Sequence, residues 1–472
     1  MSDHPASEQE ESLTAHVAAF TTASRWEDIP ADVVHLAKKS ILDSLAVAIS
    51  GSVAPATDVM RRYVRAQGCT GGASTVIGAD FRMPPRFAAL VNGTAMHADD
   101  FDDTWQATPD KVQGLHATVP VLAAVLAAAE PQGRSGRDVL TACIVGIEVG
   151  SRIFDAAHIN HIMNGYHCTG TSGMLGAAAG VANLYRLDTE VTRCTLSLAA
   201  TQTGTLLAQL GTMAKPFHSG LAAECALVSA DLAALGLTAS PTILEARWGF
   251  FLTEGGGYDD HSIRGKLGSP WSFVDRGQWI KPWPTGSLGH PALTLMQEFV
   301  RTHDLKPEQV AKIRVRTRQS IHDCLFHHDP KTELEAKFSL EFGLAALLLE
   351  RGLKLRHFTD EFVNRREMQQ TLAKVEFVPF PDAEGLAKGY SLVTSFIDIE
   401  LTDGRTLSRR IDFGKGSKAN PMTDEDVAGK FRDCAEYAGW SDARTEAVIE
   451  VVRRLEDLGD VRELTATLRI DG

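Results

Sequence analysis

Between His97 and His116 the chain reads HADDFDDTWQATPDKVQGLH, crowding Asp99, Asp100, Asp102 and Asp103 between two histidines. Carboxylates this close repel one another. They persist where water solvates them, where cations neutralise them, or where they orient groups that move protons. FAALVNGTAM on one side and ATVPVLAAVLAAA on the other are apolar, small-residue helix patterns. The acidic turn is therefore expected between two buried helices, as the wall of a pocket. An aspartate hydrogen-bonded to a histidine fixes its tautomer and raises its basicity, which proton abstraction requires.

Three further segments set basic residues in apolar surroundings. GYHCTGTSG places His167 ahead of a small-residue helix expected from Thr171. GTMAKPFHSG places Lys215 and His218 three apart, before a helix expected from Leu221. KPWPTGSLGHPAL carries Lys281 and His290 on either side of a proline-bounded loop. Cations at helix entrances share an anion with outward-pointing backbone N–H groups, so a carboxylate is the natural ligand. Lysines and protonated histidines around it would offset the charge that builds when a neighbouring carbon loses a proton. Each residue also has a plainer reading. His167 could be a hydrogen-bonded capping or core histidine, and Lys215 a surface lysine with its stem on apolar groups. The acids could form a solvated loop or a divalent-cation site. His322, His327 and His328 form a further cluster, but DCLFHHDP, which follows His322, reads as a loop and the cluster is left unassigned.

The elements that must position these residues are mostly helical. In ADVVHLAKKSILDSLAVAIS, Val34, Ala37, Ile41, Leu45 and Ala48 make one apolar stripe, and Gly51 reads as its stop. Helices are expected over Arg86–Met96, Val119–Glu130, Arg137–Ile153, Thr171–Tyr185, Glu190–Ala200 and Leu221–Leu235. After Trp271 the texture changes. VAKIRVRT and VEFVPF read as strands, FIDIEL and RTLSRRIDF as a hairpin about Asp403-Gly404, and Leu334–Arg351 as a helix. Past Pro421, two helices with Thr or Ser caps rejoin the first bundle.

The chain has 472 residues, enough for two or three domains, with ordinary hydrophobic (44%) and charged (23%) content. A net charge of −13 with no basic run argues against nucleic acid. Seven scattered cysteines without a CxxC support neither a zinc site nor a disulfide framework. The polar, acidic start lacks the pattern of a signal peptide, and no apolar run of about 18 residues suggests a membrane span, so a cytoplasmic location is expected.

Taken in order, these motifs resemble the MmgE/PrpD family, which includes 2-methylcitrate dehydratase and cis-aconitate decarboxylase. The likeness runs from PADVVHLAKKSILDSLAVAISGS through NGTAMHADDFDDT, GYHCTGTSGMLGAAAGVANLYRLD, GTMAKPFHSGLAAECALVSADLAALGL and KPWP to FGKGSKANPMTDEDVAGKF. It implies a mainly α protein: a large helical domain from both chain ends (residues 1–270 and 414–472) and an inserted α+β lid (271–413). It also implies homodimers and no cofactor or metal. Carried over by motif, Asp100, His116, His167, Lys215 and Lys281 are the catalytic candidates, with Asp100 orienting a histidine. Thr104, His218 and His290 are candidates for substrate binding. Three departures stand out. Decarboxylase members resemble K-x-F-P-x-H, where this chain has Gly286 at the histidine position, and no counterpart of their lid tyrosine lies near Cys324. The HPSDN-like run of dedicated methylcitrate dehydratases is replaced by LHATV.

The first expectation is a lyase acting on a small di- or tricarboxylate by dehydration of the 2-methylcitrate type. Decarboxylation and epimerisation share its carbanion-like step and stay open. A non-catalytic carboxylate-binding protein is the alternative of another class, and a metal enzyme the third, decided by EDTA dialysis with elemental analysis.

Overall fold

The structure, a computed structural model, describes residues 12–68, 71–105 and 114–470. The first eleven residues of the acidic N-terminus, Cys69 and the 106–113 part of the acidic segment lie outside the described residues. Helix accounts for 58% and strand for 9%, so the chain is mainly α.

Helix α1 (Ala31–Gly51) buries its expected stripe. Gly51 is its last residue rather than a stop beyond it. The missing side chain matters because a Cβ there would run into the Ala95 carbonyl. Helices α2 (Pro85–His97), α3 (Thr118–Gln132), α4 (Gly136–Ala156) and α5 (Ser172–Tyr185) lie close to their expected bounds. Helix α6 (Ala214–Ala234) does not: it begins before Lys215 instead of at Leu221. Pro216 misleads the reading, because in the first turn its missing N–H costs no helical hydrogen bond. Lys215 and His218 thus stand one turn apart on one helical face.

Small residues let these helices nearly touch. A Cβ on Gly176 of α5 would sit 2.6 Å from the Gly146 carbonyl of α4, and one on Gly146 would sit 2.7 Å from the Gly176 carbonyl. Neither backbone can retreat without moving its helix. Gly176→Ala is therefore expected to destabilise by roughly 1–3 kcal/mol, read as a lower urea midpoint. Gly429→Ala, at a helical position with open space around it, should instead gain about 0.5–1 kcal/mol.

Buried apolar side chains form two clusters. The first joins residues from Leu13 to Ile280 with the closing stretch from Met422 to Leu468. The second runs from Trp279 to Leu401. It contains α7 (His290–Thr302), α8 (Leu340–Glu350) and a four-stranded sheet. In that sheet β3 (Val310–Arg318) pairs parallel with β4 (Val375–Phe380) and antiparallel with β5 (Ser395–Leu401). Strand β5 forms the expected hairpin with β6 (Thr406–Ile411). The helix expected over Leu334–Arg351 is broken, with Glu333–Ala336 separated from α8 by a turn that Ser339 caps. DCLFHHDP is partly helical, since Gln319–Cys324 is a helix, and His322 stacks on His328 at 4.2 Å. Helices α9 (Asp424–Tyr437) and α10 (Asp442–Arg453) start at the expected Thr423 and Ser441 caps.

No disulfide joins the six cysteines among the described residues. No single described helix is long and apolar enough to cross a membrane.

Candidate active site

The acidic turn sits where the sequence puts it, between α2 and α3, and all four of its aspartates are buried. Two short strands, β1 (Thr104–Trp105) and β2 (Gln278–Trp279), tie it to the KPWP segment. Thr104 pairs with Trp279 and Trp105 with Gln278. This ladder brings Lys281 to Asp100 across 181 residues of sequence. From the other side a close crossing of α2 and α6, with Gly93 against Gly220, delivers Lys215 and His218.

Both lysines converge on Asp100. Lys215 Nζ donates to Oδ1 at 2.6 Å, and Lys281 Nζ lies 3.2 Å from Oδ2 while donating to the Asp100 carbonyl at 2.8 Å. Asp100 has φ +53°, a left-handed conformation that a non-glycine residue keeps only where its surroundings over-determine it. Here three bonds to two ammonium groups do so. Burial alone would raise the Asp100 carboxyl. Lys215, Lys281 and His116 outweigh it and hold the group well below the usual carboxylate range. Burial also pushes Lys281 below the usual lysine range, against the pull of Asp100.

Asp100 was expected to orient a histidine; Asp102 does so instead. Its Oδ2 lies 2.8 Å from His116 Nδ1 and 2.9 Å from His97 Nδ1. His116 Nδ1 also approaches the Asp103 carbonyl at 2.9 Å. A carboxylate and a carbonyl can only accept, so Nδ1 carries the hydrogen and Nε2 is left for chemistry. Burial would raise Asp102, but the two histidines hold it well below its usual range. His97 stays neutral because burial drives its pKa down to about 3 against the pull of Asp102. His167 and His218 face each other Nδ1 to Nδ1 at 3.0 Å. Burial lowers both, His218 to about 4, with neighbouring cations adding to it. Two imidazoles in such contact share one hydrogen, so one donates and the other accepts.

Two expected residues stand differently. Thr104 contributes through its backbone in the ladder. His290 is fully buried edge-on between Trp279 and Trp283, with Nε2 on the Thr285 hydroxyl at 3.0 Å, and it makes no bond to the Asp100 or Asp102 groups. A Cβ on Gly286 would sit 2.6 Å from Leu325, so a side chain there requires Leu325 to move.

The remaining acids are neutralised separately. Ser50 donates to Asp99 at 2.7 Å, and Lys337, just before α8, lies 3.6 Å away. Asp103 has the Thr118 hydroxyl on Oδ2 at 2.7 Å, and burial, reinforced by Asp43, raises it to about 8. The folded state therefore holds this proton up to about pH 8, the unfolded chain only to about 3.8. Raised above its unfolded value, Asp103 costs stability progressively as pH climbs through that window. Asp103→Asn, which cannot ionise, should gain on the wild type between about pH 5 and about pH 8.5. Urea midpoints of the two proteins check this, and a gap independent of pH would mean that Asp103 is not held neutral.

His97, Asp102 and His116 have ligand-type atoms within 4.8 Å of one another. Both Nδ1 atoms serve as hydrogen-bond donors to the carboxylate, which suits proton transfer directly. Sequence reading missed His97, Asp102 and Asp103 as working residues, although all three stand in the segment it singled out. Nothing in the sequence pattern marked Lys337 or the buried pair Asp43 and Lys430.

A mainly helical protein that sets two ammonium groups on one carboxylate and two imidazoles on the next holds the groups that acid–base chemistry needs. The chain belongs to the MmgE/PrpD family: residues 15–260 match the MmgE/PrpD N-terminal domain and residues 283–456 the C-terminal domain. It is 30% identical to cis-aconitate decarboxylase of Homo sapiens over 452 residues, 93% of this chain and 90% of the relative. It is 31% identical to that of Mus musculus, over 97% and 93% of the two chains. It is 29% identical to that of Aspergillus terreus, over 97% and 96%. These relatives are lyases, and the lyase class is shared with the sequence expectation.

Proposed function

We propose that the protein is a cofactor-independent lyase that removes CO₂ from cis-aconitate or a close tricarboxylate analogue. The observation that carries this reading is the convergence of Lys215 and Lys281 on Asp100 beside the His97–Asp102–His116 group. Full-length similarity to decarboxylases favours loss of CO₂ over the 2-methylcitrate-type dehydration expected first.

The bond to the departing carboxylate breaks, and its electron pair forms a new C=C bond. The original double-bond pair moves to the carbon beside a retained carboxylate. A proton from His116 Nε2 goes to that carbon, leaving a dicarboxylate with a terminal methylene. The lysines hold retained carboxylates and take up the charge that builds on them. Asp102 keeps the His116 tautomer and stabilises the imidazolium before it gives up its proton. His167 and His218, kept neutral, orient substrate by hydrogen bonds.

The lid reading of residues 271–413, over a helical body of residues 1–270 and 414–472, belongs to the same proposal. The two apolar clusters and the contribution of Lys281 from the 271–413 stretch support it. A homodimer in the cytoplasm completes it, with light scattering of the purified protein as the test of the dimer. Gly286 favours a second reading, in which the substrate differs from cis-aconitate where it meets Leu325.

The experiment is proton NMR in D₂O with cis-aconitate, citrate and 2-methylcitrate. The expected result is CO₂ loss from cis-aconitate with one deuterium in the methylene beside a carboxylate. Dehydration of 2-methylcitrate with no CO₂ from any substrate would overturn decarboxylation. Hydrogen exchange without net product would point to epimerisation.

A further inference from the structure

Lys430 takes no part in the reaction above, yet its ammonium group lies in the middle of the parts that do. It comes from α9 in the closing segment, far in sequence from the turn and from KPWP. Its Nζ lies 2.5 Å from Asp43 Oδ1, donates to the Phe101 carbonyl at 2.6 Å and to the Lys281 carbonyl at 2.9 Å, and stands 3.8 Å over the Phe101 ring. An ammonium has three N–H donors, and three acceptors take them. The Asp43 and Lys430 side chains are both buried.

Lys430, held by Asp43, thus grips the acidic turn at Phe101 and grips Lys281 by its own carbonyl. The β1–β2 ladder ends at Thr104 and Trp279. From there the two strands run on to Asp100 and Lys281, and Lys430 is the side chain that bonds both runs. A buried ion pair adds little net stability compared with apolar groups of the same shape, so packing alone does not account for one here. We propose that the Asp43–Lys430 pair is the positioning unit of this site, setting where the Lys281 ammonium and the Asp100 carboxylate stand. The closing segment is then needed for turnover as well as for the core. The kinetic half of this inference rests on the proposed lyase reading.

The test compares wild type, Lys430→Met and the double variant D43N/K430M in the full chain. Lys430→Met strands a buried carboxyl and should lose both stability and turnover. The double variant removes both charges together, so its thermal midpoint should return to near the wild-type value. Its kcat should stay down by about tenfold or more, with KM within about threefold, because small misplacements of a charge-stabilising group act on the transition state. A wild-type kcat in the folded double variant overturns the proposal. Should the double variant fail to fold, Lys430→Arg is read in the same way, because its planar head keeps the charge but cannot reproduce three converging donors.

Amide hydrogen exchange supplies an arm that needs no activity. Peptides spanning residues 98–103 and 279–283 should exchange about tenfold faster or more in the variant, with the rest of the chain unchanged. Unchanged protection there overturns the inference. If the wild type turns over no tricarboxylate, the lyase reading fails, and this exchange result alone decides the positioning role.

Discussion

Lys281→Met is expected to lower kcat/KM for the tricarboxylate by about 10²–10³-fold, the usual loss when one preorganised charge-stabilising donor is removed. The fold should survive. Lys281 shares Asp100 with Lys215, whose bond at 2.6 Å is the shorter one, so the carboxylate keeps a cation when either lysine is lost. Lys215→Met should give a loss of similar size for the same reason. Each ammonium donates part of its hydrogen-bond capacity to Asp100 and keeps at least one N–H for a substrate oxygen. The effect should fall mainly on kcat if charge builds on the carboxylate during C–C cleavage, because a donor that serves ground and transition states equally would move KM instead. Rates and circular-dichroism midpoints of the two variants check this together. Unchanged kcat/KM in both would remove the lysines from the mechanism and with them the reading of the site.

How far the sequence carried depends on whether a feature was local. The α1 stripe, the small-residue helices, the Thr423 and Ser441 caps and the Asp403-Gly404 hairpin follow from periodicities and caps confined to neighbouring residues. The clustering of acids between histidines marked the site for the same reason. Division of labour among those acids was not legible, because it depends on long-range partners. Asp100 meets lysines from α6 and the KPWP segment, Asp102 meets two imidazoles, Asp99 meets Ser50 and Lys337, and Asp103 meets little beyond Thr118. Four like residues in one turn thereby take different environments, two held ionised and one held neutral. Lys430 was invisible for a related reason: an isolated lysine in a capped amphipathic helix reads as a solvated one. Pro216 misplaced the start of α6 because a proline near a helix entrance reads equally as just before it.

Asp102→Asn should have an effect on turnover at least as large as loss of either lysine, about 10²–10⁴-fold in kcat, the range that positioned acid–base groups contribute. His97 and His116 both present Nδ1–H to this carboxylate. An asparagine oxygen in the Oδ2 place has two lone pairs and can still accept from both, but its amide would then stand where Oδ1 faces His97 Nδ1, 3.0 Å away. His116 retains the Asp103 carbonyl for its hydrogen, while its imidazolium loses the negative partner that makes proton transfer from Nε2 feasible. His97 lies wholly buried, and two donors facing each other there should cost about 1–3 kcal/mol in stability. The two consequences separate by comparison with His116→Gln, which should match the activity loss and keep more of the stability. Residues acting as one unit are not additive, so D102N/H116Q should be no slower than H116Q. Near-normal kcat in Asp102→Asn beside an inactive His116→Gln would make Asp102 a packing residue, and the Asp103 carbonyl alone would then fix the His116 tautomer.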